Sequence, residues 1–130
     1  MILGIGADIL EISRLDKAIK VSPTLLPRLF TEKEILRAQK LSVSKRNAYY
    51  AKRFAAKEAF SKACGTGIGA DISWQDIEIL NDKNGKPVSK ISPKALRFLQ
   101  KKFKTTKKVS CFLSLSDEKK YALAFIILTI

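Results

Sequence analysis

The sequence contains no histidine, only two cysteines and a single methionine. Without histidine the chain lacks the commonest proton shuttle near neutral pH. Any catalysis must therefore use carboxylates, lysine, hydroxyls, a metal ion or water. Cys64 and Cys111 match no metal-binding spacing and are too few for a disulfide framework. This pattern favours reduced thiols in a cytosolic protein.

Apolar segments long enough to cross a bilayer are also absent. The longest apolar run, residues 121–130, has about half of the ~20 residues that a transmembrane helix needs, and we predict a buried strand there. The first residues lack the basic and apolar regions of a signal peptide. We therefore expect a cytoplasmic protein without membrane insertion.

Acidic residues are scarce beside basic ones. The chain has 12 Asp and Glu against 25 Lys and Arg, which gives a formal net charge of +13. Such a charge attracts nucleic acid, anionic lipid, phosphate-rich small molecules or acidic proteins. With 130 residues and 46% hydrophobic content, residues 1–130 are expected to form one globular domain.

The first half of the chain reads as one strand followed by helices. Residues 2–9 alternate in the manner of a strand, and residues 10–20 indicate a short basic helix that ends before Pro23 and Pro27. Thr31 and Glu34 match a capping box, which predicts a helix to about Leu41. A second start at Ser42 predicts a long helix that ends at Cys64.

The second half reads as strands with one helix. Residues 76–81 and 86–91 indicate a hairpin around Asn84-Gly85. Ser92-Pro93 predicts a helix start, and residues 109–115 and 121–130 predict a final hairpin. Because helices and strands do not alternate regularly, we predict an α+β fold with a mixed, mainly antiparallel sheet packed against the long helix.

The candidate chemistry lies at the end of the long helix and in the first strand. Glu58 and Lys62 share one helix face, and a loop with three glycines follows them. Asp8 lies on the strand face that Gly4 and Gly6 leave clear, so a ligand or another backbone can approach closely. If Asp8 and Glu58 meet, they form a site for a magnesium ion and a pyrophosphate. The alternatives are a packed strand with a capping aspartate, and a surface ion pair between Glu58 and Lys62 worth ~0.3–0.5 kcal/mol.

Five segments, in order and spread over nearly the whole chain, carry a family resemblance. Together they resemble the holo-acyl-carrier-protein synthase family, the small group I phosphopantetheinyl transferases. The third segment is highly specific by itself. The segments are GIGADILEISRL at 4–15, FTEKE at 30–34, RFAAKEAFSKACGTGI at 53–68, NGKP at 84–87 and SLSDEKKYALAFII at 114–127.

The resemblance implies transfer of 4′-phosphopantetheine from coenzyme A to a serine of apo acyl carrier protein, with release of adenosine 3′,5′-bisphosphate. It implies Asp8 and Glu58 as Mg²⁺ ligands, which suits an ion that binds through one or two carboxylates plus substrate phosphates. It also implies Lys62 as a catalytic residue beside the pyrophosphate. The general base is Glu58, acting directly or through a metal-bound water, or that water alone.

The resemblance also implies residues that bind coenzyme A. Lys45 and Arg46, at the start of the long helix, are candidates for the 3′-phosphate. Gly65 belongs to the loop after the helix. The turn near the adenine and ribose comprises Asn84, Gly85, Lys86 and Pro87; its alternative interpretation is a plain hairpin turn.

Asp117 departs from the family pattern. Many relatives have histidine at this place in a loop on the nucleotide side of the site. The rest of the SLSD segment fits the pattern, but no role of a histidine applies to this chain.

The resemblance also implies protein partners. An acidic acyl carrier protein is expected to dock on Arg14, Lys17, Lys20 and Arg28, although these can also form a solvated basic face. A homotrimer with active sites between subunits is expected, and the strand at 121–130 is apolar on both faces and must be covered twice. A helix of the same chain is the alternative cover. The resemblance assigns no function to the lysines at 101–108, which are expected only to aid solubility.

Two other classes of protein compete with a transferase. A basic nucleic-acid-binding module would use the positive charge, but the chain shows no nucleic-acid-binding motif and its aromatic residues read as core. A purely structural oligomer would explain the apolar strands and leaves Asp8 and Glu58 without a role.

Overall fold

Five β-strands and five α-helices make up the computed structural model, which describes residues 1–130. No helix in it is both long enough and apolar enough to traverse a bilayer. The elements, in chain order, are β1 (Ile2–Glu11), α1 (Ile12–Val21), α2 (Leu25–Leu29), α3 (Glu32–Gln39), α4 (Val43–Ala63), β2 (Ile77–Asn81), β3 (Pro87–Ile91), α5 (Pro93–Lys102), β4 (Ser110–Asp117) and β5 (Tyr121–Thr129).

The strands form two sheets, and every pairing is antiparallel. One sheet has the order β1–β5–β4, and the other consists of β2 and β3. The predicted α+β fold with antiparallel sheet and one long helix is confirmed. The β2–β3 hairpin turns where Asn84-Gly85 predicts it, with Gly85 at a φ of 82°.

Two glycines of β1 let the long helix α4 lie directly on the strand. A Cβ atom added at Gly4 would overlap the backbone carbonyl oxygen of Ala63, and one at Gly6 would overlap that of Ala59. The cleared face of β1 therefore accommodates another backbone, which is one of the two occupants that the sequence allows. This contact fixes Asp8, on the same strand face, beside the last turns of α4.

Small residues make α4 the centre of the core. Its buried positions include Ala55, Ala56, Ala59 and Ala63, all at most 4% exposed. Because alanine side chains are short, the sheet can pack close to the helix axis on one side. Larger apolar side chains fill the space around them, among them Phe60, Ile72, Ile77, Ile79, Leu99, Ile126 and Leu128.

Most predicted helix boundaries are confirmed. Thr31 and Glu34 form the capping box of α3, Ser92 Oγ accepts from the backbone N–H of Ala95, and α4 ends with Cys64 as its C-cap. Two details were wrong. The helix predicted at 10–20 begins at Ile12 because β1 continues to Glu11. Pro27, predicted as a breaker, lies in the first turn of α2, where a missing N–H costs no helical hydrogen bond.

The sheet face opposite α4 is uncovered in a single chain. Ile5, Ile9 and Phe112 are 59–60% exposed, and Leu123 and Phe125 are 42% and 39% exposed. The register places Ile9 opposite Leu123, so these side chains lie next to one another across the strands. The same chain therefore covers only one face of β5, and the predicted second cover does not come from its own helices.

Candidate active site

The structure brings together three residues that the sequence singles out. Asp8 of β1 and Glu58 and Lys62 of α4 line one cavity. The Lys62 ammonium donates to Asp8 Oδ1 at 3.0 Å and to the carbonyl oxygen of Ala7 at 3.2 Å. The alternative interpretation, a surface ion pair between Glu58 and Lys62, does not hold, because Lys62 pairs with the aspartate of the neighbouring strand instead.

Glu58 has an unusual electrostatic environment for a carboxylate. Partial burial raises the pKa of Glu58, the charge of Asp8 raises it further, and Lys62 partly offsets both effects. Two carboxylates that face one low-dielectric space repel each other. A cation between them would relieve this repulsion.

The donor set fits a magnesium ion. Asp8 and Glu58 offer carboxylate oxygens, and no cluster of three or more Asp, Glu, Cys or His surrounds them. Mg²⁺ typically uses one or two protein carboxylates and completes its octahedron with water and substrate phosphate. In this structure the Lys62 ammonium already provides a positive charge on Asp8.

The cavity around these residues has an apolar wall. Its volume is about 540 Å³, and the apolar side chains come from β1, the first two helices and α4. Arg14 of α1 lines the same cavity, so one predicted carrier-docking residue shares this cavity with the candidate metal ligands. The apolar lining residues are Ile9, Leu10, Leu15, Ala18, Leu25, Leu29 and Phe54.

A second and larger cavity lies against the other side of α4. This groove has a volume of about 740 Å³ and contains Lys45 and Gly85, two of the predicted coenzyme A ligands. Lys45 and Glu58 face nearly opposite sides of a helix with 3.6 residues per turn. The two cavities share no lining residue, so one chain does not bring all predicted ligands to one place.

Arg53 fixes the β2–β3 hairpin at this groove. Its guanidinium, only 2% exposed, donates to the carbonyl oxygen of Ile79 at 3.3 Å and to Asn81 Oδ1. The Asn81 amide in turn donates to the carbonyl oxygen of Gly85 at 2.7 Å. The guanidinium also lies 3.8 Å from the ring centre of Tyr49. Through this chain of contacts α4 positions the turn predicted to hold the nucleotide.

Among the other predicted ligands of coenzyme A, the hairpin residues lie near the groove and Arg46 does not. Arg46 does not reach the groove, because its guanidinium donates to the carbonyl oxygens of Ala38 and Leu41 at the end of α3. Asn84, Lys86 and Pro87 belong to the hairpin around Gly85, with Asn84 and Lys86 exposed and Pro87 half-buried.

Asp117 and Gly65 also have defined neighbours. Asp117 lines the groove and accepts from the Lys52 ammonium at 2.9 Å, so a carboxylate paired with lysine occupies the place of the family's histidine. Gly65 has a φ of 75° and follows the last turn of α4. The Lys102 ammonium lies beside it, 2.8 Å from where a Cβ would be.

The predicted carrier-docking residues are all exposed. Arg14, Lys17 and Lys20 lie on α1, and Arg28 lies at the end of α2. Lys20 is paired with Asp16 at 3.0 Å. Only Arg14 lines the cavity of Asp8 and Glu58.

Sequence reasoning missed the groove residues Arg37, Lys52 and Arg53 and the apolar cavity wall. The sequence could have predicted Lys52 and Arg53, because they follow Lys45 by seven and eight residues and so lie on the same side of the helix. The residues of α2 that line the apolar wall carry no such signal, since a five-residue helix has no readable period.

Comparison with known proteins identifies the family of the chain. A family model described as the 4′-phosphopantetheinyl transferase superfamily matches residues 4–126. The holo-[acyl-carrier-protein] synthase of Pelagibacter ubique is 46% identical over 127 residues, 98% of this chain and 96% of that protein. That of Zymomonas mobilis is 45% identical over 130 residues, with the same two shares covered.

Solved structures show the same fold. The holo-[acyl-carrier-protein] synthase of Neisseria meningitidis superimposes with a TM-score of 0.86 at 38% identity, with both chains fully covered. The Bacillus anthracis enzyme, solved in complex with CoA (3′,5′-ADP), gives a TM-score of 0.81 at 39% identity over 98% of this chain and 96% of that one. The chain therefore belongs to the holo-[acyl-carrier-protein] synthase family of 4′-phosphopantetheinyl transferases.

Proposed function

We propose that Asp8, Glu58 and Lys62 give this chain the activity of its family. The chain transfers 4′-phosphopantetheine from coenzyme A to a serine of apo acyl carrier protein and releases adenosine 3′,5′-bisphosphate. The observation that carries the proposal is the convergence of Asp8 and Glu58, which lie on different elements, at one cavity beside the Lys62 ammonium.

Asp8 and Glu58 would hold a magnesium ion, and Lys62 would contact the pyrophosphate. When bound, the magnesium ion would neutralise the pyrophosphate and favour in-line attack on the phosphorus that carries the pantetheine arm. The Lys62 side chain is 53% exposed, so its ammonium is free to move from Asp8 to a phosphate oxygen. There it stabilises the negative charge that develops on the leaving adenosine bisphosphate.

Glu58 is our candidate for the general base. The serine hydroxyl oxygen attacks the phosphorus that carries the pantetheine arm, and the bond from this phosphorus to the bridging oxygen breaks. The serine proton passes to the Glu58 carboxylate, since the chain has no histidine to accept it.

The large groove would bind the nucleotide end of coenzyme A. Lys45, Lys52 and Arg53 supply positive charge there, and Gly85 marks the hairpin predicted to contact adenine and ribose. Since α4 separates the groove from the Asp8 cavity, we propose that the groove of one copy faces the cavity of another. The complete site then lies between subunits.

The uncovered sheet face supplies the subunit contact in this proposal. Ile5, Ile9, Leu123, Phe125 and Phe112 present an apolar face that a second and third copy would bury. A homotrimer that shares its sites between subunits accounts for both the apolar face and the divided ligand set. Cys64 and Cys111, both free thiols, fit a cytoplasmic location.

The acyl carrier protein would dock over α1. Arg14, Lys17 and Arg28 are exposed and have no ion-pair partner in the chain. Acidic residues of the carrier would meet them, and such charges mainly raise the association rate. An apolar side chain of the carrier fits against the apolar wall of the Asp8 cavity. The modified carrier would serve fatty acid synthesis.

The direct experiment is a mass measurement on the carrier. Purified chain, coenzyme A, Mg²⁺ and apo acyl carrier protein are incubated, and the carrier is expected to gain one phosphopantetheine. Asp8→Asn and Glu58→Gln should each lower the rate by at least ~100-fold, since a metal ligand or a base is lost. Circular dichroism and thermal unfolding check that both variants fold.

Glu32→Gln is the matched control. Glu32 is an exposed acid at the start of α3 with no partner in the chain. Its variant loses the same charge and should retain the wild-type rate. A wild-type rate in either Asp8→Asn or Glu58→Gln would refute the assignment of the site.

A further inference from the structure

The positive charge of the chain is concentrated in one segment. Residues 83–116 contain ten of the 25 Lys and Arg residues and none of the 12 acids. The rest of the chain has 15 basic residues against 12 acidic ones and is nearly neutral. All ten basic residues of the segment are exposed, and only Lys94 has an ion-pair partner, Asp76.

Six of these residues lie on β3, on α5 and in the segment that follows α5, and we call them the lysine face. It comprises Lys90, Arg97, Lys101, Lys104, Lys107 and Lys108. None of the six side chains takes part in a salt bridge or donates a hydrogen bond within the chain. Their charges are therefore available to something outside it.

Three observations relate members of the lysine face to one another. Lys90 of β3 and Lys108 line one groove together with Leu96 of α5. Arg97 and Lys101 are four residues apart on α5 and share a helix face. The segment after α5 folds back on the helix, because the Gln100 amide donates to the carbonyl oxygen of Lys107 at 3.2 Å.

The composition of the lysine face distinguishes between classes of partner. It contains five lysines and one arginine, and Phe98 and Phe103 of the same segment are packed against the core. The exposed ring of Phe112 lies in the groove of Lys90 and Lys108 but belongs to the apolar sheet face that we propose as the subunit contact. Protein interfaces favour arginine and aromatic anchors and are depleted in lysine. Single-stranded nucleic acid requires exposed rings for stacking, and base recognition in duplexes relies mostly on arginine, asparagine and glutamine.

A membrane surface that is dense in phosphate groups requires neither aromatic side chains nor arginine from the protein that binds it. The ammonium group of lysine is a hydrated point charge on a flexible side chain, so it is attracted to many closely spaced phosphates without a fixed hydrogen-bonding geometry. Clusters of four to eight basic residues are typical of proteins that bind anionic lipid headgroups. We propose that the lysine face binds reversibly to an anionic phospholipid membrane surface.

This proposal does not depend on the transferase assignment. It follows from the charge distribution and from exposed residues to which no role in transfer is given. A failure of either proposal leaves the other unaffected, because vesicle binding and phosphopantetheine transfer are measured separately.

Vesicle sedimentation tests the proposal with wild-type chain. The protein is mixed with phosphatidylcholine vesicles that contain about one third phosphatidylglycerol, or none, at low salt where the Debye length exceeds ~10 Å. Binding is expected only to the anionic vesicles and is expected to disappear near 1 M salt, where the Debye length is ~3 Å. Absence of binding to anionic vesicles at low salt would overturn the proposal.

A pair of charge-matched variants tests the location. The face variant is R97Q/K101Q/K107Q/K108Q, and the control is K33Q/K40Q/K119Q/K120Q, which removes four exposed lysines elsewhere; both have a net charge of +9. One basic residue near an anionic surface changes partitioning about fivefold. The face variant should bind at least tenfold more weakly than the control.

Two results would contradict the proposal. Equal losses in the face variant and the control would mean that net charge, and not the lysine face, drives binding. Tighter binding of wild type to duplex DNA than to anionic vesicles at the same salt, lost in the face variant, would assign the surface to nucleic acid. Unchanged circular dichroism and unchanged transfer to soluble carrier show that the face variant is folded.

Discussion

At the scale of single residues, Asp76 connects the segment before β2 to the start of α5. Its carboxylate accepts from the N–H and the hydroxyl of Ser73, from Ser92 Oγ at 2.7 Å and from the Lys94 ammonium at 3.1 Å. Burial alone would raise the pKa of Asp76, but the hydrogen bonds of Ser92, Ser73 and Lys94 outweigh it and hold the pKa below its usual value. The ionised form therefore stabilises the fold.

The sign of this effect gives a pH dependence. The pKa of the Asp76 carboxyl is lower in the folded chain than in the unfolded chain, where it is ~3.9. Its ionised form therefore stabilises the fold fully at pH values above ~3.9. This stabilisation is lost as the pH falls through the pKa of the folded chain. We expect Asp76→Asn to lower the free energy of unfolding by about 2 kcal/mol at pH 7. Below about pH 4 the difference from wild type should shrink.

Denaturant unfolding over a pH series measures this difference. Asp71→Asn is the control, because Asp71 is exposed and makes no contact of its side chain within the chain. A destabilisation by Asp76→Asn that stays constant from pH 7 to pH 3 would contradict the role assigned to its charge.

At the scale of elements, one buried ion pair joins α3, α4 and β2. The Lys57 ammonium and the Glu34 carboxylate, both fully buried, are 2.8 Å apart. Lys57 also donates to the carbonyl oxygens of Trp74 and Ile77, and Glu34 accepts from the N–H of Ile79 at 2.9 Å. Burial lowers the pKa of Lys57, and the charge of Glu34 opposes this change.

Removal of both partners should cost less than the sum of the two single removals. Lys57→Met leaves a buried carboxylate without its cation and is expected to lower the free energy of unfolding by about 3–5 kcal/mol. The double variant with Glu34→Gln should cost less than the sum of the single variants. Fluorescence of Trp74, the one tryptophan of the chain, follows unfolding from a position stacked on Phe54. Strict additivity would contradict a coupled pair.

The extent to which the sequence predicts the elements differs along the chain. Thr31 with Glu34 and Ser92 with Pro93 predict helix starts correctly, because capping acts through residues next to the helix end. Asp8 and Glu58 line one cavity, which the family resemblance and the glycine pattern led us to expect, and their role as metal ligands stays a prediction. The Glu34–Lys57 pair was not foreseen, since a buried ion pair depends on tertiary contacts that no local spacing encodes.

The same limit applies to the ligands of coenzyme A. Lys45 faces the groove, as expected from its place on the helix, whereas Arg46 is engaged by the end of α3. Neighbours in sequence point to different sides of a helix. The family resemblance suggests both Lys45 and Arg46, so it does not decide which of the two contacts coenzyme A.

At the scale of the whole molecule, the apolar sheet face predicts assembly. We expect a solution mass of three times the 14.5 kDa chain by light scattering. Phe125→Lys places a charge in the middle of this face and should give monomers that no longer bind coenzyme A, if the site is shared between subunits as we propose. Leu36→Lys, at an exposed leucine of α3 away from the sheet, should leave the mass unchanged. A monomeric wild-type chain with full activity would contradict the shared site.

The whole account depends on a divalent cation held between Asp8 and Glu58 with the pyrophosphate of coenzyme A. Manganese, a paramagnetic substitute for magnesium, allows this site to be measured without turnover. Electron paramagnetic resonance of Mn²⁺, titrated into wild type with coenzyme A, should show one bound ion per chain. Binding should be at least tenfold weaker in Asp8→Asn and in Glu58→Gln and unchanged in Glu32→Gln. Equal binding by all four proteins would contradict the central claim.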